Sequence, residues 1–472
     1  MPDTSPILLW LRRDLRLSDH PALSAACETG RPIIPLWILD EVVERHGACP
    51  KWRLSLGASH FADVLAAMGS RLILRRGRAV DVLRDLVRET GAGAVYWSRL
   101  YDPDSVERDT AVKAALKGDG TEARSFAGHV LFEPWTVQTK TGGFYKVYTP
   151  FWKSVKDSDL SAPLAAPKRI TPPSAWPASD AIADWNMGAA MDRGADIVAP
   201  FVTVGEAAAQ DRLAHFITDG IAGYVAARDR PAANGTSKLS ENLTHGEISA
   251  RTCWHAGMRA LHEGQQGAEV FLKELVWRDF AYHLVYHTPV ITTGNWRPEW
   301  DAFPWNTEET AQVTAWKQGR TGIEFVDAAM REMYVTGHMH NRARMIVASY
   351  LTKHLLSHWR IGQHWFEECL IDWDAASNAM GWQWSAGSGP DATPYFRVFN
   401  PVTQLDKFDR DRAYVDRWIA EGRALPHRDA LAYFAAVPRA WGLSPQDRYP
   451  NPVVDVAEGR KLALAAYENR AT

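Results

Sequence analysis

At 472 residues the chain is too long for a single core and implies two or more domains. With 46% hydrophobic and 23% charged residues and a net charge of −3, it has a globular composition without the global basic excess of a general nucleic-acid binder. No apolar run is long enough to cross a bilayer, and the basic residues of "MPDTSPILLWLRRDLRL" follow the apolar stretch instead of preceding it, so a cytoplasmic protein without membrane contact is expected. Cys27, Cys49, Cys253 and Cys369 are too scattered for a disulfide framework or a zinc site.

In chain order, residues 5 to about 130 alternate apolar strands with amphipathic helices. "PILLWLRRD" predicts a strand, "HPALSAACETG" a short helix stopped at Gly30, and "RPIIPLWILD" a second strand. "LSLGASHFADVLAAMG" predicts a helix, "RLILRRG" a strand, "AVDVLRDLVRETG" a helix and "AGAVYWSR" a fourth strand. Continuously apolar strands separated by helices indicate a parallel, doubly wound sheet covered on both faces, an α/β domain over residues 1–130. Such sheets bind ligands beyond their strand C-termini, which marks "ILDE" and "SRLYDPD" as ligand loops. Neither carries GxGxxG and no GxxxxGK[ST] occurs, so no nucleotide site of the fingerprint type is expected there. Residues 131–204 read as a connector, including the proline-rich "SAPLAAPKRITPPSAWPASD". From 205 to 472 the pattern is helical: "GEAAAQDRLAHFI", "AEVFLKELVWRDFAYHLVYH", "GIEFVDAAMREMYVTG", "NRARMIVASYLTKHLLSHW" and "GQHWFEECLID" form an all-α domain.

Tryptophan is the compositional anomaly, with 13 of the 21 lying after residue 250. Trp382 and Trp384 in "SNAMGWQWSAGSGPD" sit among small and polar residues, outside any apolar stripe. Glu274, Trp277 and Arg278 share a helix face at i, i+3 and i+4, and Asn341, Arg344 and Met345 share another. Each set suits a structural ion pair as well as a site, and Asp372 and Asp374 are acids within reach of such a pairing. "GHMHNRARMIVASYLTKHLLSHWR" holds four Lys/Arg and four His with no acid, which is either a local anion footprint or a basic face paired with acids elsewhere. His354 and His358 read better as surface or capping residues than as metal ligands, since HExxH is absent. Thr236, Ser237 and Ser240 around Lys238 form either a phosphate cradle or an ordinary helix cap.

"LWLRRDLRLSDHPAL" resembles the opening of the photolyase and cryptochrome flavoproteins. "GTSKLSENLTHGEIS", "WRDFAYHL", "AWKQGRTGIEFVDAAMREM", "TGHMHNRARM" and "GWQWSAGSGPDATPYFRVFNPVTQLDKFD" resemble that family's FAD-domain motifs, in the family's order. "GACPKWRL" is similar to the bacterial class III branch. The resemblance covers essentially the whole chain and implies two domains, with FAD in the helical one, fully reduced in the active state. It also implies an antenna chromophore, methenyltetrahydrofolate ahead of 8-hydroxy-5-deazaflavin.

Carried over by resemblance, Tyr224, Thr236, Ser237, Lys238, Leu239 and Ser240 hold the FAD phosphates and ribityl chain. Arg278, Arg344, Asp372, Asp374 and Asn378 surround the isoalloxazine, with Asn378 near N5. Trp382, Trp359 and Trp305 form an electron relay. Trp277 and Trp384 stack on a lesion flipped out of the duplex, as enzymes acting on bases require. Met345 walls the same poorly solvated cavity, and Glu274 is a donor to the lesion's carbonyl. Asn341 and Arg342 contact lesion and backbone, and Arg228 a phosphate. The activity implied is light-driven repair of cyclobutane pyrimidine dimers in DNA by a monomeric carbon–carbon lyase. Excited reduced FAD gives an electron to the dimer and receives it back. The alternatives are (6-4) photoproduct repair and a blue-light receptor acting through a protein partner. His338, where the family often has Trp, bears on that choice.

Overall fold

The computed structural model describes residues 4–391 and 396–469. Its first part is a five-stranded sheet of β1 (Ile7–Leu11), β2 (Ile33–Leu39), β3 (Ile73–Arg76), β4 (Ala94–Ser98) and β5 (Glu122–Phe126), all parallel, in the order β3-β2-β1-β4-β5. β1, β2 and β4 are buried at every position. Successive residues serve opposite faces: Leu9, Leu11 and Trp37 pack on one side, Leu8, Trp10 and Ile34 on the other. Each Leu or Ile so buried stabilises the sheet by about 1.5–3 kcal/mol.

Among the elements not foreseen, two lie beside the sheet's ligand loops and edge. Helix Pro103–Gly118 begins inside the segment read as a ligand loop, because Asp102 accepts from the Ser105 amide as N-cap and Pro103 opens the first turn. β5, "EARSF", escapes an apolar-run criterion because it is an edge strand, where outward charges such as Glu122 and Arg124 discourage pairing with another chain.

The helical part follows the sequence period closely in places. Helix Ala268–His287 coincides with the segment read as helical. The segment from Asn341 does not run on as one helix. It ends at Ser349, widens into a π turn at Tyr350–His354, and breaks at Leu356, whose φ of 46° no helix accepts, before Trp359–Cys369 starts. His340 and His358 cap the two flanking helices, as a capping role requires, whereas His354 is buried.

Sheet and helices are locked together through a fully buried ion cluster. Arg53 meets Glu241 at 2.6 Å and Glu247 at 2.7 Å. Gly246 makes a second joint: its φ is +68° and a Cβ there would lie 1.9 Å from the Arg13 carbonyl oxygen, so only glycine fits.

Candidate active site

The site is built on helix Ala375–Ala386. Asp374 caps it by accepting from the Ser377 amide at 2.8 Å, and Gly387 closes it in the left-handed conformation. The small residues that obscured this helix in the sequence let neighbouring chains approach. Asp374, Asn378 and Trp382 recur every four residues and form one stripe, while Trp384 faces elsewhere. Tyr282 donates its hydroxyl to Asp374. Asn378 donates its amide to the Gln363 carbonyl at 3.0 Å, which leaves its own carbonyl oxygen without a protein donor among the described residues.

Trp382 is 2% exposed, and its indole N–H has no acceptor among the described residues. Its ring lies edge-on to Phe366 at 4.9 Å and to Trp316 at 6.1 Å. It also presses on Gly362, where a Cβ would come within 2.0 Å of the ring. Trp359 precedes Gly362 by one turn on the same helix and donates its N–H to Asn295 at 2.8 Å. His358 then bridges: its ring is 5.4 Å from Trp359 and 5.1 Å from Trp305, whose N–H is held by the Thr352 carbonyl at 3.1 Å. The three tryptophans named from the sequence are thereby gathered along adjoining, buried contacts.

Beside the stripe, Arg344 donates to both oxygens of Asp372 at 2.9 Å. Burial alone would raise the Asp372 pKa, but Arg344, then His338 and the Ser240 hydroxyl, hold it below the usual carboxylate value. Ser240 and Asp372, predicted for one cofactor, are thus in contact. Leu239 is buried, and Thr236 and Ser237 are half-buried in the irregular segment before helix Ser240–Thr244. Lys238 sits there with φ +53°. Desolvation and then the charges of Arg212 and Arg417 lower its pKa, with Glu332 opposing. Arg212 is itself paired with Glu241 at 3.2 Å and Arg417 with Asp429 at 2.6 Å, so Lys238 is the cation that forms no ion pair among the described residues. Arg278 stands apart, donating to the His129 carbonyl at 2.7 Å and to its ring at 3.0 Å.

A second group gathers at the end of the Tyr224–Ala227 turn. Arg228 lies over the Tyr224 ring and pairs with Glu274 at 2.7 Å. Asp229 pairs with Arg342 at 2.9 Å, and Arg342 reaches the Met345 sulfur at 3.8 Å. Asn341 is exposed at the start of its helix. The poorly solvated pocket expected around Glu274 is not what forms: its side chain is 36% exposed and ion-paired.

The two stretches of the chain match two family models. Residues 7–168 match the model described as DNA photolyase, and residues 271–469 the one described as FAD binding domain of DNA photolyase. Over 98% of both chains, the sequence is 44% identical to the deoxyribodipyrimidine photo-lyase of Agrobacterium fabrum. The chain belongs to the DNA photolyase family. The solved structure of a bacterial class III photolyase from Agrobacterium tumefaciens is 43% identical and superposes with a TM-score of 0.89 over 99% of this chain and 98% of that one. An archaeal photolyase from Sulfolobus tokodaii, solved with two FAD molecules, is 27% identical with a TM-score of 0.81 over 98% of this chain and 100% of that one.

Within this photolyase fold, one site residue escaped the sequence reading. Tyr148 stacks on Trp277 at 3.6 Å and 7°, covering one face of the indole, and donates to the Lys273 carbonyl. It lies in the connector, where no local pattern marks it. The acid-free segment 337–360 proves largely internal: Arg342 and Arg344 are paired with acids and Lys353 is buried, which leaves Arg360 exposed. The sheet's crevice also differs from expectation. Asp40 caps the next helix and pairs with Arg108 at 2.9 Å, and Arg108 and Arg12 both meet Asp109, so the polar groups at these strand ends are engaged with one another. No described helix is long and apolar enough to cross a membrane.

Proposed function

We propose that this photolyase-family protein repairs cyclobutane pyrimidine dimers in DNA by light-driven electron transfer, as a cytoplasmic monomer. The observation that carries this reading is the Asp374–Asn378–Trp382 stripe, which joins polar groups suited to a flavin with a buried indole on one helix face.

FAD fits the residues present: Lys238, which forms no ion pair among the described residues, offers a cation for its phosphates, and Arg344–Asp372 and the open Asn378 carbonyl offer the polar edge an isoalloxazine needs. When bound and reduced, FAD supplies the light-excited electron that opens the dimer's two ring bonds and takes it back afterwards. Tyr224, Thr236, Ser237, Leu239 and Ser240 would hold its phosphates and ribityl chain, and Arg344, Asp372, Asp374 and Asn378 its ring system. Arg278, tied to His129, would support this shell from behind.

The protein's own part is positioning and charge control. Trp277, braced by Tyr148, and Trp384 would stack on the extruded lesion, each contributing on the order of 1–3 kcal/mol. Asn341, Arg342 and Met345 would line the same cavity. Glu274, paired with Arg228 at 2.7 Å, would take a proton from solvent and donate a hydrogen bond to the lesion's carbonyl when a DNA phosphate draws Arg228 away. Trp382, Trp359 and Trp305 would return electrons to an oxidised cofactor. An antenna of methenyltetrahydrofolate type, ahead of 8-hydroxy-5-deazaflavin, is proposed, and no step depends on it.

The test is to illuminate photoreduced holoprotein with a dimer-containing oligonucleotide and follow recovery of thymine absorbance. Recovery in light and none in darkness is expected. No recovery with flavin bound and reduced would overturn the proposal. The relatives' names favour this substrate over (6-4) repair or receptor signalling.

A further inference from the structure

Lys353 is a cation out of place. It lies in the π turn Tyr350–His354, is 4% exposed, and forms no ion pair with any described carboxylate. Lysine is almost never buried without a partner of opposite charge. Its ammonium donates to the Arg397 carbonyl and sits over the Phe396 ring at 4.6 Å, which uses one of three N–H donors and supplies no negative charge.

The charged surroundings add to the deficit. Lys353 lines an open cleft with Arg297, Trp384, Phe396, Arg397 and Tyr467. The cleft's lining from other elements is two guanidiniums, five aromatic rings including Trp300 and Phe399, and Ser385, with no acid among the described residues; on its own turn Lys353 has Tyr350 and the buried His354. Burial, followed by the charge of Arg397, lowers its pKa to about 7. A basic cleft with aromatic walls is the chemistry that takes a nucleic-acid strand, its bases on the rings and its phosphates on the cations.

We infer that Lys353 is the counter-cation for a DNA backbone phosphate beside the extruded lesion, and that DNA binding is linked to protonation of this lysine. The inference rests on the repair reading, since Trp384 marks the lesion's place in the cleft. A phosphate arriving next to Lys353 supplies the missing negative charge, and the fraction of amines that is neutral in the free protein takes up a proton from solvent. Affinity for dimer-containing DNA then falls as pH rises above neutral.

The experiment measures affinity of the FAD-loaded protein for dimer-containing and undamaged duplexes across pH and salt, for the wild type, Lys353→Met and Lys353→Arg. Flavin content and thermal midpoint report folding of each variant. For the wild type, calorimetry in buffers of different ionisation enthalpy should show proton uptake on binding dimer DNA. Lys353→Met should weaken that binding, abolish the uptake and reduce the salt slope by about 1. Lys353→Arg should keep the slope and lose the uptake, because guanidinium does not titrate in this range. A wild type that binds dimer DNA with no proton uptake overturns the linkage even if both variants misfold. An unchanged slope in folded Lys353→Met overturns the phosphate contact, and an equal loss on undamaged duplex overturns its place beside the lesion. Failure of the wild type to prefer dimer DNA would instead strike the repair reading itself.

Discussion

The sheet crevice and the helical site handle charge in opposite ways. Beyond the ends of β1 and β2, Arg12 and Asp40 pair with Asp109 and Arg108 of helix Pro103–Gly118, and both guanidiniums lie over Trp10 at 4.3 and 4.9 Å. In the helical part, Lys238 and Lys353 form no ion pair among the described residues and Asn378 keeps an open carbonyl. Charges that satisfy each other stabilise a fold, whereas those left waiting mark where a ligand completes the structure.

This contrast can be broken most forcefully in the sheet. Arg108→Met leaves Asp40 buried without its cation and should destabilise the protein by about 3–5 kcal/mol in urea unfolding, while the folded fraction repairs DNA at the wild-type rate. A loss of repair larger than the loss of folded protein would mean that the crevice does more than hold the fold. The next largest effect belongs to the helical half. Gly362→Ala drives a methyl into the Trp382 ring and should cost about 1–3 kcal/mol, with a changed near-UV circular dichroism signal from the displaced indole. An unaltered signal would show that the close contact is not a constraint.

The smallest effect is in acid. The Asp372 carboxyl, held low by Arg344, His338 and Ser240, contributes stability that is complete above the ordinary carboxylate range and disappears as pH falls through its lowered folded-state value. Asp372→Asn should flatten that part of the stability profile, so the two proteins' midpoints converge as pH drops. Parallel profiles would remove Asp372 from the acid response.

Much of this architecture was legible before any coordinates. Runs such as "PIIPLWIL" announce β2 because both faces of an inner strand are buried, and helix Ala268–His287 is written in its apolar spacing. What stayed hidden depends on contacts between distant segments. β5 carries charges because it is an edge, and Asp102 caps a helix where a ligand loop was expected. Helix Ala375–Ala386 has too many small and polar residues to show a period; Gly362 and Asp374 define it from outside. Tyr148 is invisible until Trp277 is folded onto it, and the Arg228 that pairs Glu274 arrives from another turn. Family motifs supplied the site residues; they did not say which would be paired and which left open.

Trp382 carries the most weight. Its test is the rate at which blue light reduces oxidised flavin in the Trp382→Phe variant, with a thiol as external donor. Photoreduction should collapse, while enzyme reduced chemically beforehand still repairs dimers. Photoreduction as fast as in the wild type would contradict the account, because electrons would then be reaching the cofactor without the indole on which the site is arranged.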